Sequence, residues 1–143
     1  MCLLISPTYT WAGEVRDHEV DLQGIVGNSN YLLYMQHARH QHFKQLGLDF
    51  VKMHLAGYDL VLVRSELDFK ASLVSGDSFL VTSKVSRFGR VRFLVEQQVL
   101  KLPNHEVITL GKHFGTCLEV KTRRPVIPEQ VKLIFDALAN AED

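Results

Sequence analysis

Residues Val15 to Gly47 read VRDHEVDLQGIVGNSNYLLYMQHARHQHFKQLG, and how this stretch is read decides the fold. An extended segment runs into a tight loop, and the loop feeds a long helix. Asn28 or Ser29 is expected as N-cap, because a short oxygen-bearing side chain satisfies the orphan N–H groups of a first turn. From Tyr31 onward, a 3.6-residue period places Tyr31, Tyr34, Met35, Ala38 and Leu46 on one stripe and Gln36, His37, His40, Gln41 and Lys44 opposite. Gly47 suits the left-handed backbone that often follows a helix. The first turn, Tyr31-Leu32-Leu33-Tyr34-Met35, is apolar nearly all round, which predicts a helix wrapped by other structure.

The loop before this helix holds Asp21, then Gly24 and Gly27. Glycines let a backbone turn tightly and approach a ligand closely. The helix N-terminus beyond is donor-rich and partly positive, a setting that suits an oxyanion. Asp is also common in turns, where its side chain bonds its own backbone. From the residues alone, catalysis and turn chemistry both remain open for Asp21.

Outward from this stretch, 143 residues favour a single domain, 1–143, with room for a core. Apolar content of 46% and charged content of 22% are globular values. Lys plus Arg and Asp plus Glu balance at 16 each, so no overall field draws nucleic acid or a membrane surface. Cys2 and Cys117 have neither framework nor metal-like spacing, which predicts a reduced, cytoplasmic setting, a free terminal thiol and a small core residue. MCLLISPTYTW lacks the basic flank and long apolar run of a signal peptide. No stretch approaches the roughly 18 apolar residues of a membrane span.

Tyr9 to about Asp17 alternates as a first strand, and Leu48–Leu55 reads as a short second helix. After Gly57 the period becomes two. Leu60–Ala71 is expected to turn Val61, Val63, Leu67, Phe69 and Ala71 to one face. Phe79–Phe88, Val91–Leu100 and Val107–Val120 follow, with turns at Gly76-Asp77, Gly89 and Pro103-Asn104. Gly111 and Gly115 hint at a bulge or bend in the last strand. Pro128 opens a C-terminal helix near Glu129–Leu138. Consecutive hairpins imply an antiparallel sheet with one buried face, so the class is α+β with the sheet wrapped around the helix. Its outer face or edge strand is a surface for dimerisation.

Asp21-Leu22-Gln23-Gly24-Ile25-Val26-Gly27-Asn28-Ser29-Asn30-Tyr31 resembles the D-x-x-G-I/V-V-x-x-x-N/S-Y signature of acyl-CoA thioesterases of the 4-hydroxybenzoyl-CoA thioesterase-like family. Ala38-Arg39, Ser75-Gly76-Asp77 and Arg123-Arg124-Pro125 with Ile127-Pro128 fit the same pattern. The resemblance spans roughly Tyr9 to Pro128. It implies the hotdog fold, a five-stranded antiparallel sheet around a long central helix. It also implies hydrolysis of an acyl-CoA substrate, no cofactor, and a homodimer or a tetramer of dimers. Asp21 would be general base or nucleophile. Gly24 and the start of the helix at Ser29, Asn30 and Tyr31 would hold the substrate and its developing oxyanion. Many relatives carry Tyr-His where this chain has Gly27-Asn28, and that histidine assists catalysis. Asn28 hydrogen-bonds but does not shuttle a proton near neutral pH, so it is expected either to orient the carbonyl or water or to cap the helix. Tyr31, Tyr34 and Met35 would line an acyl tunnel or belong to the core.

Arg87, Arg90 and Arg92 flank a hairpin and are candidates for CoA phosphates or for a solvated turn. Arg64 and Lys70, on one polar strand face, are weaker candidates. His37, His40, His42 and His54 lack partners at ligand spacing, which predicts a solvated face and no metal. His18 is near enough to Asp21 to line the site. Ser65 and Ser83 have no His–Asp neighbour pattern and no nucleophile elbow. Two other readings follow from the same residues. One is a hotdog hydratase or dehydratase, marked by a His18–Asp21 contact. The other is a non-catalytic acyl-CoA-binding dimeric module, marked by binding without turnover.

Overall fold

The structure is a computed structural model and describes residues 6–141, so Cys2 lies outside it. Strand β1 (Thr8–Glu14) leads through a single 3-10 turn (Asp17–Glu19) and a loop to helix α1 (Asn28–Gln45) and the short α2 (Phe50–Leu55). Strands β2 (Tyr58–Phe69), β3 (Ser78–Phe88), β4 (Arg92–Lys101) and β5 (Glu106–Glu119) follow, then α3 (Glu129–Ala141). The strands form one five-stranded sheet in the order β1-β3-β4-β5-β2, with every pair antiparallel. Helix α1 lies across one face of it, which is the hotdog arrangement.

Two apolar clusters fill the helix–sheet layer. Tyr31, Tyr34, Met35 and Ala38 of α1 pack with Phe79, Val81, Val99 and Ile108 of the sheet. Towards the far end of α1, Phe43 and Leu46 meet Val85, Phe93, Val95 and Cys117, and Val131, Phe135 and Leu138 of α3 close that end. Full burial of side chains of this size contributes about 1.5–3 kcal/mol each.

Gly111 and Gly115 are inward-facing positions of β5. A Cβ at Gly111 would sit 2.8 Å from Met35 Sδ, and one at Gly115 would sit 2.2 Å from Phe93 Cζ. Their lack of a side chain lets α1 and Phe93 approach the sheet. Neither glycine is the extra residue of a bulge in β5. The bulge of β5 is nearer the strand's start, where the register with β4 shifts between Val99 and Leu100.

Other expectations are corrected. The first strand ends at Glu14, and Asp17–Glu19 turns instead of extending. Helix α1 is not wrapped all round, because Leu32 and Leu33 are 40% and 56% exposed. Its polar side is also interrupted, since His42 is buried, stacked on Tyr9 at 5.5 Å. Most consequential is β2. Its register against β5 shifts between Leu62 and Arg64, leaving Val63 as an extra residue. The bulge changes the strand's phase. Leu60 and Leu62 pair with the inward positions Cys117 and Gly115 before it, and Ser65 and Leu67 pair with His113 and Gly111 after it. Val61 and Val63 therefore do not share the face of Leu67 and Phe69.

Candidate active site

The loop between the 3-10 turn and α1 is a small hairpin. Val20 bridges Val26, the Asp21 amide donates to the Ile25 carbonyl at 2.8 Å, and the Gly24 amide donates to the Asp21 carbonyl at 3.0 Å. Gly24 sits at φ 82°, the left-handed region that favours glycine. Asp21 Oδ1 accepts from the Gln23 amide at 2.8 Å and from the Ile25 amide at 3.4 Å. The turn chemistry foreseen for an Asp here is therefore present. Oδ2 takes no partner among the described residues, and the side chain is exposed.

The helix start corrects the expected cap. Gly27, extended at φ −64° and ψ 144°, is the N-cap, and no side chain bonds across it. Asn28 is the first helical residue, so capping does not explain it. Asn28 and Ser29 are exposed, and their amides have no acceptor among the described residues. Asn30 is committed locally, its amide to the Gly27 carbonyl at 2.9 Å and its Nδ2 to the Glu19 carbonyl at 2.9 Å. Tyr31 is buried, and its hydroxyl accepts from the Leu73 amide at 3.0 Å. The Leu73 carbonyl accepts from Val26 at 2.9 Å, so Tyr31 holds the hairpin against the 71–77 segment. Two open amides thus follow a surface carboxylate by seven and eight residues, and backbone and Asp21 side-chain hydrogen bonds fix the loop between them.

The profile of the thioesterase-like superfamily matches residues 15–135. The chain belongs to the thioesterase-like superfamily. It is 34% identical over 122 residues to a chloroplastic acyl-acyl carrier protein thioesterase of Arabidopsis thaliana, covering 85% of this chain and 65% of that protein. It thus spans just under two thirds of that relative's length. A putative esterase of Aquifex aeolicus is 30% identical over 124 residues, covering 86% of this chain and 94% of its own. Among solved structures, a 1,4-dihydroxy-2-naphthoyl-CoA thioesterase of Synechocystis superposes with a TM-score of 0.85 at 19% identity, covering 92% of this chain and 98% of that one. That likeness is one of fold.

Behind the loop of this thioesterase-like chain lies a carboxylate missed in the sequence. Glu19 is only 5% exposed. It accepts from the Arg16 amide at 2.8 Å, from Arg16 Nη2 at 2.9 Å and from the Tyr34 hydroxyl at 2.9 Å. Burial alone would raise the Glu19 carboxyl, but the bonds from Arg16 and Tyr34 outweigh it and hold the group below the usual range. Burial and the Glu19 charge push the Tyr34 hydroxyl well up. Trp11, His18, Asn30, Tyr34 and His37 border a cavity of about 570 Å³ beside Glu19. His18 therefore lines this cavity and makes no bond to Asp21 among the described residues.

The middle of α1 carries polar groups into the sheet. Gln97 Nε2 donates to the Met35 carbonyl at 3.0 Å and to Ser83 Oγ at 2.7 Å, and Arg39 Nη1 donates to Gln97 Oε1 at 3.2 Å. Burial lowers Arg39 to about 10. Ser65 Oγ lies 2.8 Å from His113 Nδ1, a pairing across 48 residues that the sequence did not show. His113 Nε2 is 3.2 Å from Met35 Sδ, and burial, then the Arg39 charge, lower its pKa to about 4. A base so weak, with sulfur in place of a carboxylate behind it, does not make Ser65 a triad nucleophile. Cys117 is buried, and its thiol is pushed up to about 11 by that burial.

The arginines are elsewhere. Arg87 bonds the carbonyls of Gly89 and Arg90 at 3.3 and 3.1 Å and approaches Asp136 at 3.8 Å. Arg90 and Arg92 are exposed beside it. The Asp21 loop packs at the Ser78 end of β3, through Val15 to Asp77 at 2.8 Å. Arg87 is nine steps along β3 from that end, roughly 30 Å at about 3.3 Å per step. One chain does not bring these arginines to its own Asp21.

Proposed function

We propose that the chain hydrolyses an acyl-CoA thioester to the free acid and CoA, with Asp21 as the reacting carboxylate and the first turn of α1 as the oxyanion site. The observation that carries this reading is an Asp21 Oδ2 with no partner among the described residues, on the hairpin that leads directly into the open amides of Asn28 and Ser29. Asp21 takes a proton from water as the water oxygen adds to the thioester carbon. The carbonyl oxygen becomes negative and accepts from the helix amides. The intermediate then collapses, the C–S bond breaks, and the proton passes to the leaving sulfur. Attack by Oδ2 itself, giving a mixed anhydride that water opens, uses the same atoms. Each well-placed donor stabilises the developing oxyanion by about 3 kcal/mol. Asn28 orients the carbonyl or water at this turn. The CoA-ester chemistry of the Synechocystis protein and the acyl-thioester chemistry of the plant relative support this class of reaction.

The catalytic unit in this proposal is a homo-oligomer. β2 is an edge strand, and Leu62, Val63 and Phe69 on it are exposed, as are Leu32 and Leu33 of α1. Pairing of β2 with a second copy covers that apolar rim. Any contact of Arg87, Arg90 or Arg92 with CoA would then serve a partner's site.

The test is thiol release from short, long and aromatic acyl-CoA esters by the wild type and Asp21→Asn. Turnover that disappears in the variant supports the assignment. Turnover that persists removes Asp21 from the chemistry. Saturable binding of the esters with no turnover favours a binding module.

A further inference from the structure

Asp21 and the open amides of Asn28 and Ser29 belong to two elements, a hairpin and a helix. Glu19, two residues before Asp21, joins them by touching α1 at three points. Its carbonyl oxygen accepts from the Gly27 amide at 3.2 Å and from Asn30 Nδ2 at 2.9 Å, and its carboxylate accepts from the Tyr34 hydroxyl at 2.9 Å. Gly27 is the N-cap of the helix. Asn30 and Tyr34 are four residues apart, so they share one helix face and stand about 6 Å apart along the axis. A helix held at a single point turns about it. A helix held at two points on one face keeps both its tilt and its rotation. The same carboxylate accepts from the Arg16 amide at 2.8 Å, which ties this clamp to the 3-10 turn.

We propose that Glu19 is a positioning residue, which sets the Asp21 carboxylate at its working distance from the first-turn amides of α1 by gripping the Asn30–Tyr34 face of the helix. The inference rests on the assignment of Asp21 made above and adds no further group to the chemistry. Glu19 makes no bond to Asp21 among the described residues, so it acts through geometry. Stability alone does not account for a carboxylate at this place. Glu19 is 5% exposed, whereas the Arg16 arm that pairs with it at 2.9 Å is 70% exposed. Burying a carboxylate is costly, and an ion pair with a solvated arm returns little of that cost. An apolar side chain of similar size is often as stable or more so in such a position. A leucine, however, offers no acceptor to the Tyr34 hydroxyl, and the upper point of the clamp is lost with it. Placement matters steeply for reacting atoms, since a displacement of about 1 Å costs about 10²-fold in rate.

The experiment is thiol release from the acyl-CoA panel by full-chain variants, with circular dichroism to verify folding. Glu19→Leu is expected to lower kcat about 10²-fold with KM close to wild type, because the helix amides that receive the ester are still present. Glu19→Gln keeps the Oε1 acceptor for Tyr34 and for the Arg16 amide, and is expected to return kcat towards wild type. Glu19→Leu added to Asp21→Asn is expected to cost nothing more, since no carboxylate is left to place. A residue that supports only stability gives losses that multiply. If Glu19→Leu alone does not fold, Glu19→Leu with Tyr34→Phe leaves no orphan hydroxyl and is expected to show the same kcat loss. The proposal is overturned by wild-type kcat in a folded Glu19→Leu protein, by a Gln variant as slow as the Leu variant, or by losses that multiply with Asp21→Asn. A wild type that hydrolyses no ester refutes the hydrolase reading instead. The clamp is then read from NMR amide resonances. Tyr34→Phe is expected to shift those of Asn28 and Ser29 and to leave those of Lys44 and Gln45, and unshifted Asn28 and Ser29 overturn it.

Discussion

Asp21 divides its two oxygens between different tasks. Oδ1 holds the hairpin through the Gln23 and Ile25 amides, and Oδ2, with no partner among the described residues, is the atom to which the proposed reaction is assigned. Asparagine keeps the Oδ1 acceptor and removes the proposed base. Asp21→Asn is therefore expected to lower kcat by about 10²–10⁴, the usual contribution of a general base, with a melting temperature close to wild type. Alanine at the same position would also undo the turn and confound the two. A second residue-scale prediction concerns His113. Its folded-state pKa of about 4 lies below the ordinary imidazole range, so the unfolded chain binds a proton that the native chain refuses. Stability is expected to fall as pH drops from about 6.5 to about 4, and to stop responding to this group below that. The direction is opposite to that of a histidine stabilised by a carboxylate. Thermal melts of the wild type and His113→Leu across this window check it, with a shallower pH slope expected in the variant.

At the scale of elements, Gly115 is where β5 admits the ring of Phe93, and a methyl group there meets atoms at 2.2 Å. Phe93 is itself packed between Phe43 and Phe135, at 5.5 and 6.0 Å between ring centres, so the ring has little room to retreat. Gly115→Ala is expected to cost about 1–3 kcal/mol through overpacking, read as a lower urea midpoint with an unchanged slope. How much was legible follows from which interactions are local. The 3.6-residue stripe of Tyr31, Tyr34, Met35 and Ala38 lies within one helix and is buried, and Arg39, His42 and Phe43 widen it. The alternation of β3 and β4 is local too, and Phe79, Val81, Val85, Phe93, Val95 and Val99 are buried as their period requires. The bulge at Val63 depends on how β2 meets β5, and no period within β2 announces it. Nothing local marks Glu19 as buried, because the Tyr34 hydroxyl that bonds it is 15 residues away on another element. The Asp21–Gly24 turn and the open first turn of α1 were readable. The committed Asn30 amide was not, because Gly27 rather than Asn28 begins the cap.

For the whole molecule, the β2 edge with its exposed apolar side chains is the surface on which the proposed homo-oligomer rests. Lysine on an edge strand is a common block to strand addition. Val63→Lys is expected to halve the sedimenting mass, with a modest loss of stability because Val63 is already 48% exposed. Equal masses for the wild type and Val63→Lys would remove β2 from the assembly. The extra residue at Val63 also bears on what the edge cannot do. A strand that pairs evenly along its length accepts a second strand, then a third, and becomes a template for fibres. The phase change in the middle of β2 breaks that evenness, so a neighbour in register with one half is out of register with the other. The bulge is thus a device against runaway polymerisation. It gives the edge a length limit, and a chain with residue 63 deleted would be a sterner test of solubility than of folding.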